Sequence, residues 1–498
     1  MALRNYKQIL IACTFIIFFA SCNRQSSIDT ILFKETKNKV YKDIDEAKLS
    51  EAIKITLKEE TGDLKNAKFL TSYYEQNSYK ANLLIKFFSK EKLNLLAEHL
   101  ASVSNHGLNP DHFHTDDYKN ILTLVSSKDG IATIEDAYKQ VAKLEIATAD
   151  ALLNYSSALE FGIINPNKVL KRYYIETKQA DTAFMKSILS SSDLENLLDS
   201  IQPKSATYLA LQKALKTGVI TENRNKEETL KTIMVNLERE RWKHDIDTSK
   251  LVYVNIPAFR LDVISDGKPT MSMKVVVGTG RNNNGKTTFS AVKGTVKDSP
   301  HSHETPILAS RIHSVQVNPV WNIPKSIAGK EILKHVQKDR YYLANSGIDV
   351  LQDGKVIEDS ESIDWAAYTP DNLPYRFRQR PGNENALGKI KFLFKNNSSV
   401  YLHDTPAQAA FNRDIRASSH GCVRVAEPLD LAKALFNEDK FNTIKKDMES
   451  SEQKEAKNIA LSANTQVVLD YKTVEVKDNT LQFYPDVYGQ DIVLYSYM

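Results

Sequence analysis

The chain has 498 residues, which at ~150 residues per domain means two to four domains. Its 66 Lys and Arg stand against 62 Asp and Glu, a net charge of +4 that is too balanced for a nucleic-acid-binding field, so no nucleic-acid partner is expected. With 42% hydrophobic and 26% charged residues it has the composition of a globular protein, and three cysteines exclude a disulfide framework.

Residues 1–22 read as a secretory leader. Arg4 and Lys7 precede an apolar stretch from Ile9 to Ala20 that is shorter than the ~20 residues of a spanning helix. The leader ends Phe19-Ala20-Ser21-Cys22, which resembles a bacterial lipobox; an ordinary leader with a chance cysteine is the alternative. The resemblance implies lipidation of Cys22 and a membrane tether facing the periplasm. Asn23 is not the aspartate associated with inner-membrane retention, which favours the outer membrane. Residues 23–45 are polar and read as a linker.

From 46 to 230 the pattern is helical. Val141, Leu144, Thr148, Ala151, Leu152 and Tyr155 form one stripe and predict a helix from about 135 to 157. After residue 248 the period changes to two. Leu251–Val254, Phe259–Ile264, Met273–Val277, Ser314–Val317, Arg376–Arg380, Ile390–Phe394 and Val400–Leu402 are the strand candidates. Residues 326–374, with a helix near Lys330–Lys338, read as an insertion capping one end of the sheet. The expected class is therefore α+β, with a helical scaffold over 46–230 and a mainly β domain over 231–440. A C-terminal extension over 441–498 follows, with strand candidates at Val467–Leu469, Leu481–Tyr484 and Ile492–Tyr495 and no assigned role.

Gly280 to Thr287 satisfies the phosphate-loop pattern G-x-x-x-x-G-K-[ST] letter for letter. The pattern needs a helix to begin at Lys286, and the β-branched residues, Gly294 and Pro300 that follow do not supply one. A Gly/Asn-rich loop explains it better, and no nucleotide or other cofactor is expected.

The chemistry concentrates in Tyr401-Leu-His403-Asp404 and in Ser419-His420-Gly421-Cys422-Val-Arg424. Beyond the leader, Cys422 has no partner but Cys22, and an unpaired thiol in an oxidising compartment suits a nucleophile activated by an imidazole. His420 and His403 are the two imidazoles near it in sequence. Gly421 lets the backbone approach closely, so the Gly421 and Cys422 amides are candidate oxyanion donors. Arg424, two residues on, shares a face with Cys422 if the segment is extended. Pro428 begins a helix whose positive end lies nearby. A zinc site built from His403, His420 and Cys422 with His301 or His303 lacks recognisable ligand spacing, so no metal is expected and His301 and His303 read as solvated loop residues. Arg376, Arg378 and Arg380 alternate along one strand, as a solvated edge or a carboxylate-binding face.

This constellation resembles the L,D-transpeptidase family, whose YkuD-type domain carries a histidine, a gap of this size and Ser/Thr-His-Gly-Cys. Asn318-Pro-Val-Trp321-Asn-Ile-Pro324, Arg380-Pro-Gly-Asn-Glu-Asn-Ala-Leu-Gly388-Lys and His403-Asp-Thr-Pro are similar to the large YcbB-like branch. The resemblance implies cysteine acyl transfer on peptidoglycan. Cys422 attacks a tetrapeptide stem and releases D-alanine, and the thioester passes to a diamino-acid amine of a second stem, forming a 3→3 cross-link. Mapped by position, it makes His403 the general base, oriented by the Asp404 carbonyl. Ser419, His420 and Gly421 become the oxyanion pocket, and Tyr401, Arg424 and Trp321 substrate contacts. Peptidoglycan stem peptides are then the partners and carbapenems the expected covalent inhibitors. Hydrolysis (an L,D-carboxypeptidase), protein attachment to the wall, and a non-catalytic wall-binding lipoprotein remain the alternatives. Leu209 to Trp242 runs across the place where relatives insert a glycan-binding module.

Overall fold

The computed structural model describes residues 27–218, 225–285, 288–291, 293–450 and 455–498. The leader, the Cys22 lipidation site, and Lys286 and Thr287 of the phosphate-loop match lie outside them. The chain divides into two compact units, one comprising the residues up to Leu95 and Asp116–Asp150, the other Leu96–Thr115 and Ala151–Met498.

The first unit is helical. The linker expected over 23–45 is corrected from Ile28 onward, where a helix, Ile28–Thr36, buries Ile28 and Leu32 one turn apart among lysines and acids that make the segment read as polar. Tyr41 then donates to the Val125 carbonyl (2.8 Å) and Asn38 to that of Ile131 (2.8 Å), tying the segment down. Further on, Asp45 accepts from the Lys48 amide and starts the helix Glu46–Glu59. In the long helix Ile134–Phe161, Glu145 is fully buried. Its Oε1 accepts from the Leu83 amide (3.1 Å) and the Tyr74 hydroxyl (2.9 Å), and its Oε2 from the Leu84 amide (2.9 Å). Burial pushes its pKa up to about 7.

In the second unit the helix Lys226–Arg241, capped by Asn225, packs Ile233 and Leu237 against Tyr208, Leu211 and Ala214. The domain boundary expected at 230/231 therefore falls inside one helix.

Fifteen strands follow. β1 (Lys250–Asn255), β2 (Arg260–Ser265), β3 (Lys268–Gly278) and β4 (Leu308–Val317) precede an inserted group, β5 (Trp321–Ile323), β6 (Ile348–Gln352), β7 (Lys355–Ile357) and β8 (Arg376–Gln379). Then come β9 (Ile390–Phe394), β10 (Leu402–His403), β11 (Ala417–Ser419), β12 (Val423–Val425), β13 (Lys457–Asp470), β14 (Val474–Lys477) and β15 (Thr480–Phe483). The main sheet has the order β11-β3-β12-β10-β9-β4-β13-β1-β2, and β2 also pairs with β3, so the sheet closes on itself. Valines, leucines and isoleucines at alternate positions, among them Val252, Val315, Phe392, Leu402, Val423 and Val467, form its core.

Residues 441–498 are not an appendage. β13 lies between β4 (antiparallel) and β1 (parallel), inside the closed sheet. The expected strand Ile492–Tyr495 is instead part of the helix Gln490–Tyr495, begun by the Asp486 carboxylate accepting from the Gln490 and Asp491 amides (2.9 and 3.0 Å). A short apolar run does not distinguish the two.

The inserted group forms its own sheet, β5-β8-β6-β7, around Ile323, Val350, Trp365 and Phe377, so it is wider than the expected 326–374. Its helical stretch from Lys325 to Lys338 contains a π turn at Ala328–Ile332. β8 is central rather than an edge, and Arg378 (2.8 Å) and Arg380 (3.4 Å) both pair with Asp349, which corrects the solvated-edge expectation for those two arginines.

Candidate active site

The pleat builds the site. β10 lies between β9 and β12, with Leu402 opposite Val423 and Phe392, and His403 opposite Arg424 and Lys391. Leu402, Val423 and Phe392 point into the core, so Lys391, Tyr401, His403, Cys422 and Arg424 share the other face.

Cys422 is half-buried and unpaired. The Tyr401 hydroxyl and the Tyr401 backbone hydrogen-bond its sulfur, and Arg424 and Lys391 bring positive charge to it; these lower the thiol pKa, but burial outweighs them and the net shift is upward. Tyr401 stacks edge-on against His403 with ring centroids 5.6 Å apart, and the Lys391 ammonium sits 5.4 Å from the Tyr401 ring centre. Arg424 Nε is buried with no hydrogen-bond partner among the described residues.

His403 is only 4% exposed. Burial, reinforced by the Arg424 charge, pushes its pKa down to about 3, so the ring is neutral. Nδ1 donates to the Asp404 carbonyl (2.5 Å), which leaves Nε2 with the lone pair. Asp404 is fixed in turn, its carboxylate accepting from the Lys389 amide (2.8 Å) and the Thr405 amide (2.7 Å). Gly388, at φ +61°, leaves room for that carboxylate: a Cβ there lies 2.3 Å from Asp404 Oδ2.

Two members of the expected oxyanion pocket are placed differently. His420 turns to the insertion, where Nε2 meets Glu331 Oε1 at 2.5 Å and its ring lies 4.6 Å from that of His303. His303 in turn packs against His301 at 5.6 Å, so the pair expected as separate solvated residues is a chain of rings. The Gly421 amide donates to Ser419 Oγ (3.1 Å), whose hydroxyl donates to the Cys422 carbonyl (2.6 Å). Ser419 therefore shapes the loop and the Gly421 amide is occupied. Trp321 starts β5 and packs at the margin of the insertion's own core, away from the shared face of β9, β10 and β12. Among the described residues, no three His, Cys, Asp or Glu are grouped to hold a metal ion.

Lys391 is the site residue missed from sequence. Its alternation between Ile390 and Phe392 shows it leaving the core face, but only strand register reveals that it meets His403. It also lines a groove of about 410 Å³ with Lys395, Asn397 and Tyr401, open beside the thiol.

Fold and site together define a closed β-sheet domain presenting a cysteine and a buried histidine on one face. Comparison with known families narrows this: residues 249–440 match the L,D-transpeptidase catalytic domain (YkuD), and residues 68–215 match the Scaffold domain. A Haemophilus influenzae protein that carries the provisional name L,D-transpeptidase is 28% identical over 317 residues, 64% of this chain. The alignment spans 60% of that relative's length. The chain belongs with the YkuD-type L,D-transpeptidases, in the scaffold-bearing, YcbB-like arrangement.

Proposed function

We propose that the protein is a peptidoglycan L,D-transpeptidase acting through Cys422. The observation that carries this reading is the convergence of Cys422, Tyr401, His403, Arg424 and Lys391 on one face of three neighbouring strands. Burial opposes charge on both His403 and Cys422, so the resting pair is thiol and imidazole rather than a preformed ion pair. His403 Nε2 takes the thiol proton as sulfur attacks the carbonyl carbon of the third stem residue. The bond to D-alanine breaks, its nitrogen receives the proton from Nε2, and a thioester remains. The side-chain amine of a second stem then attacks the thioester, yields a proton to Nε2 and expels the thiolate, which takes that proton back. The Cys422 amide is the oxyanion donor left by the Ser419–Gly421 bond. Arg424, with its unpartnered Nε, and Tyr401 contact the anionic donor.

Incubation with tetrapeptide muropeptides and mass analysis of the products tests this. Cross-linked dimers support it; tripeptides alone make the protein a carboxypeptidase. A chain whose Cys422 forms no mass adduct with a carbapenem is a binding protein. The lipobox-like leader supports export and anchoring at Cys22 to the outer membrane; loss of fatty-acid labelling in Cys22→Ser is the expected result.

A further inference from the structure

The C-terminal segment reaches the nucleophile through an unbroken set of buried hydrogen bonds. Thr305 Oγ1 accepts from the Gly278 amide (2.9 Å), which commits its own hydrogen to the Gly421 carbonyl (2.9 Å). The Thr305 amide donates to the Tyr488 hydroxyl (3.0 Å), which donates onward to the Gly278 carbonyl (2.9 Å). Thr305 is 1% exposed and Tyr488 0%, so water does not compete for these bonds. Tyr488 is fixed from behind: its amide donates to the Tyr471 hydroxyl (2.8 Å), which donates to Asp486 Oδ1 (2.6 Å). Gly278 and Gly280 permit the close approach, since a Cβ on the first lies 1.9 Å from the His303 carbonyl and on the second 2.2 Å from that of Val487.

The chain of bonds ends on the peptide that carries Cys422. In a planar trans peptide the Gly421 C=O and the Cys422 N–H point in opposite directions, so pinning the carbonyl aims the amide. Gly421, at φ +118°, has the conformational latitude to lose that aim if the carbonyl is released. We propose that Thr305 and Tyr488 are positioning residues of the acyl transfer, through which the C-terminal segment directs the Cys422 amide at the developing oxyanion. This rests on the transpeptidase reading above and assigns the segment after 441 a part in it.

The test compares wild type with Thr305→Val, Thr305→Ser and Tyr488→Phe in the full chain. Two rates are measured: carbapenem acylation by intact mass, which needs an oxyanion donor, and iodoacetamide alkylation, which does not. Removing an oxyanion donor costs ~10²–10³ in rate; misaiming one is expected to slow acylation about 10–100-fold in Thr305→Val and less in Tyr488→Phe. Alkylation and its pH profile stay within about twofold of wild type, and Thr305→Ser returns acylation to within about threefold, on the same scale of effects. If Thr305→Val does not fold, Tyr488→Phe carries the comparison. Unchanged acylation in a folded variant, a parallel fall in both rates, or failure of serine to rescue overturns the proposal alone. A wild type that forms no adduct overturns the transpeptidase reading and this proposal with it.

Discussion

Replacing His403 by glutamine tests the electrostatic account of the site most directly. In the fold the imidazole is pushed down to about 3, against an unperturbed value of 6.5, because burial and the Arg424 charge both disfavour the cation. The unfolded chain therefore binds the extra proton first as pH falls. His403 costs the fold nothing above 6.5, and stability is lost progressively as pH drops from there toward 3. At 1.36 kcal/mol per unit, this amounts to about 3 kcal/mol between pH 7 and pH 4. Urea unfolding of wild type and His403→Gln at intervals across that range isolates the contribution, because the other titrating groups cancel in the difference. The variant is expected to gain about 3 kcal/mol on wild type over the interval. A difference that stays flat below pH 6.5, or an NMR titration of His403 near neutrality, refutes the reasoning.

The same charges act on the nucleophile. Tyr401→Phe removes a hydroxyl donor to the sulfur and Lys391→Met a nearby cation, so each is expected to raise the thiol pKa and slow iodoacetamide alkylation at neutral pH, by about tenfold for a shift of one unit. Gly388→Ala places a methyl into Asp404 at a positive φ; about 2–4 kcal/mol of stability is expected to go, measured by thermal unfolding, with turnover falling because the carbonyl that orients His403 is displaced. Glu145→Ala leaves the Leu83 and Leu84 amides unanswered at a cost of about 2–4 kcal/mol. Because the folded Glu145 binds its proton up to about 7, its stabilisation is fullest below its ordinary value of 4.5 and is lost as pH rises through 7, so the gap between wild type and Glu145→Ala is expected to narrow across that range.

Cys422 and His403 were legible because a nucleophile and its base lie in short, chemically distinctive segments. Lys391 was not, because its partnership with His403 depends on the pairing of β9 with β10, which no local pattern specifies. The placing of His420 was hidden for a similar reason: Glu331, which holds it, comes from the insertion far upstream in the chain. β13 was legible only at Val467–Leu469. Its first half carries Asn458 and Ser462 beside Ile459 and Leu461, and that alternation is too weak to announce a strand running from Lys457. The helix Ile28–Thr36 was masked by its composition: a narrow buried stripe is enough to dock it, and lysines and acids fill the rest.

The placing of β13 also decides where the catalytic domain ends. The family match stops at 440, yet removal of everything beyond Lys440 takes out the strand between β4 and β1. Val467, Val468 and Leu469 are fully buried, and at about 1.5–3 kcal/mol each their loss amounts to on the order of 5 kcal/mol or more. That equals much of the stability of an ordinary domain. Two strands would also be left with unpaired backbone edges, which favours association with other copies. A chain truncated after Lys440 is therefore expected to be insoluble or to lack a cooperative thermal transition. Adding back a separate peptide spanning 455–498 is expected to restore part of both solubility and carbapenem acylation. A truncated chain that unfolds cooperatively near the wild-type midpoint would mean that β4 and β1 pair without β13, and the closed-sheet account of the domain would fail.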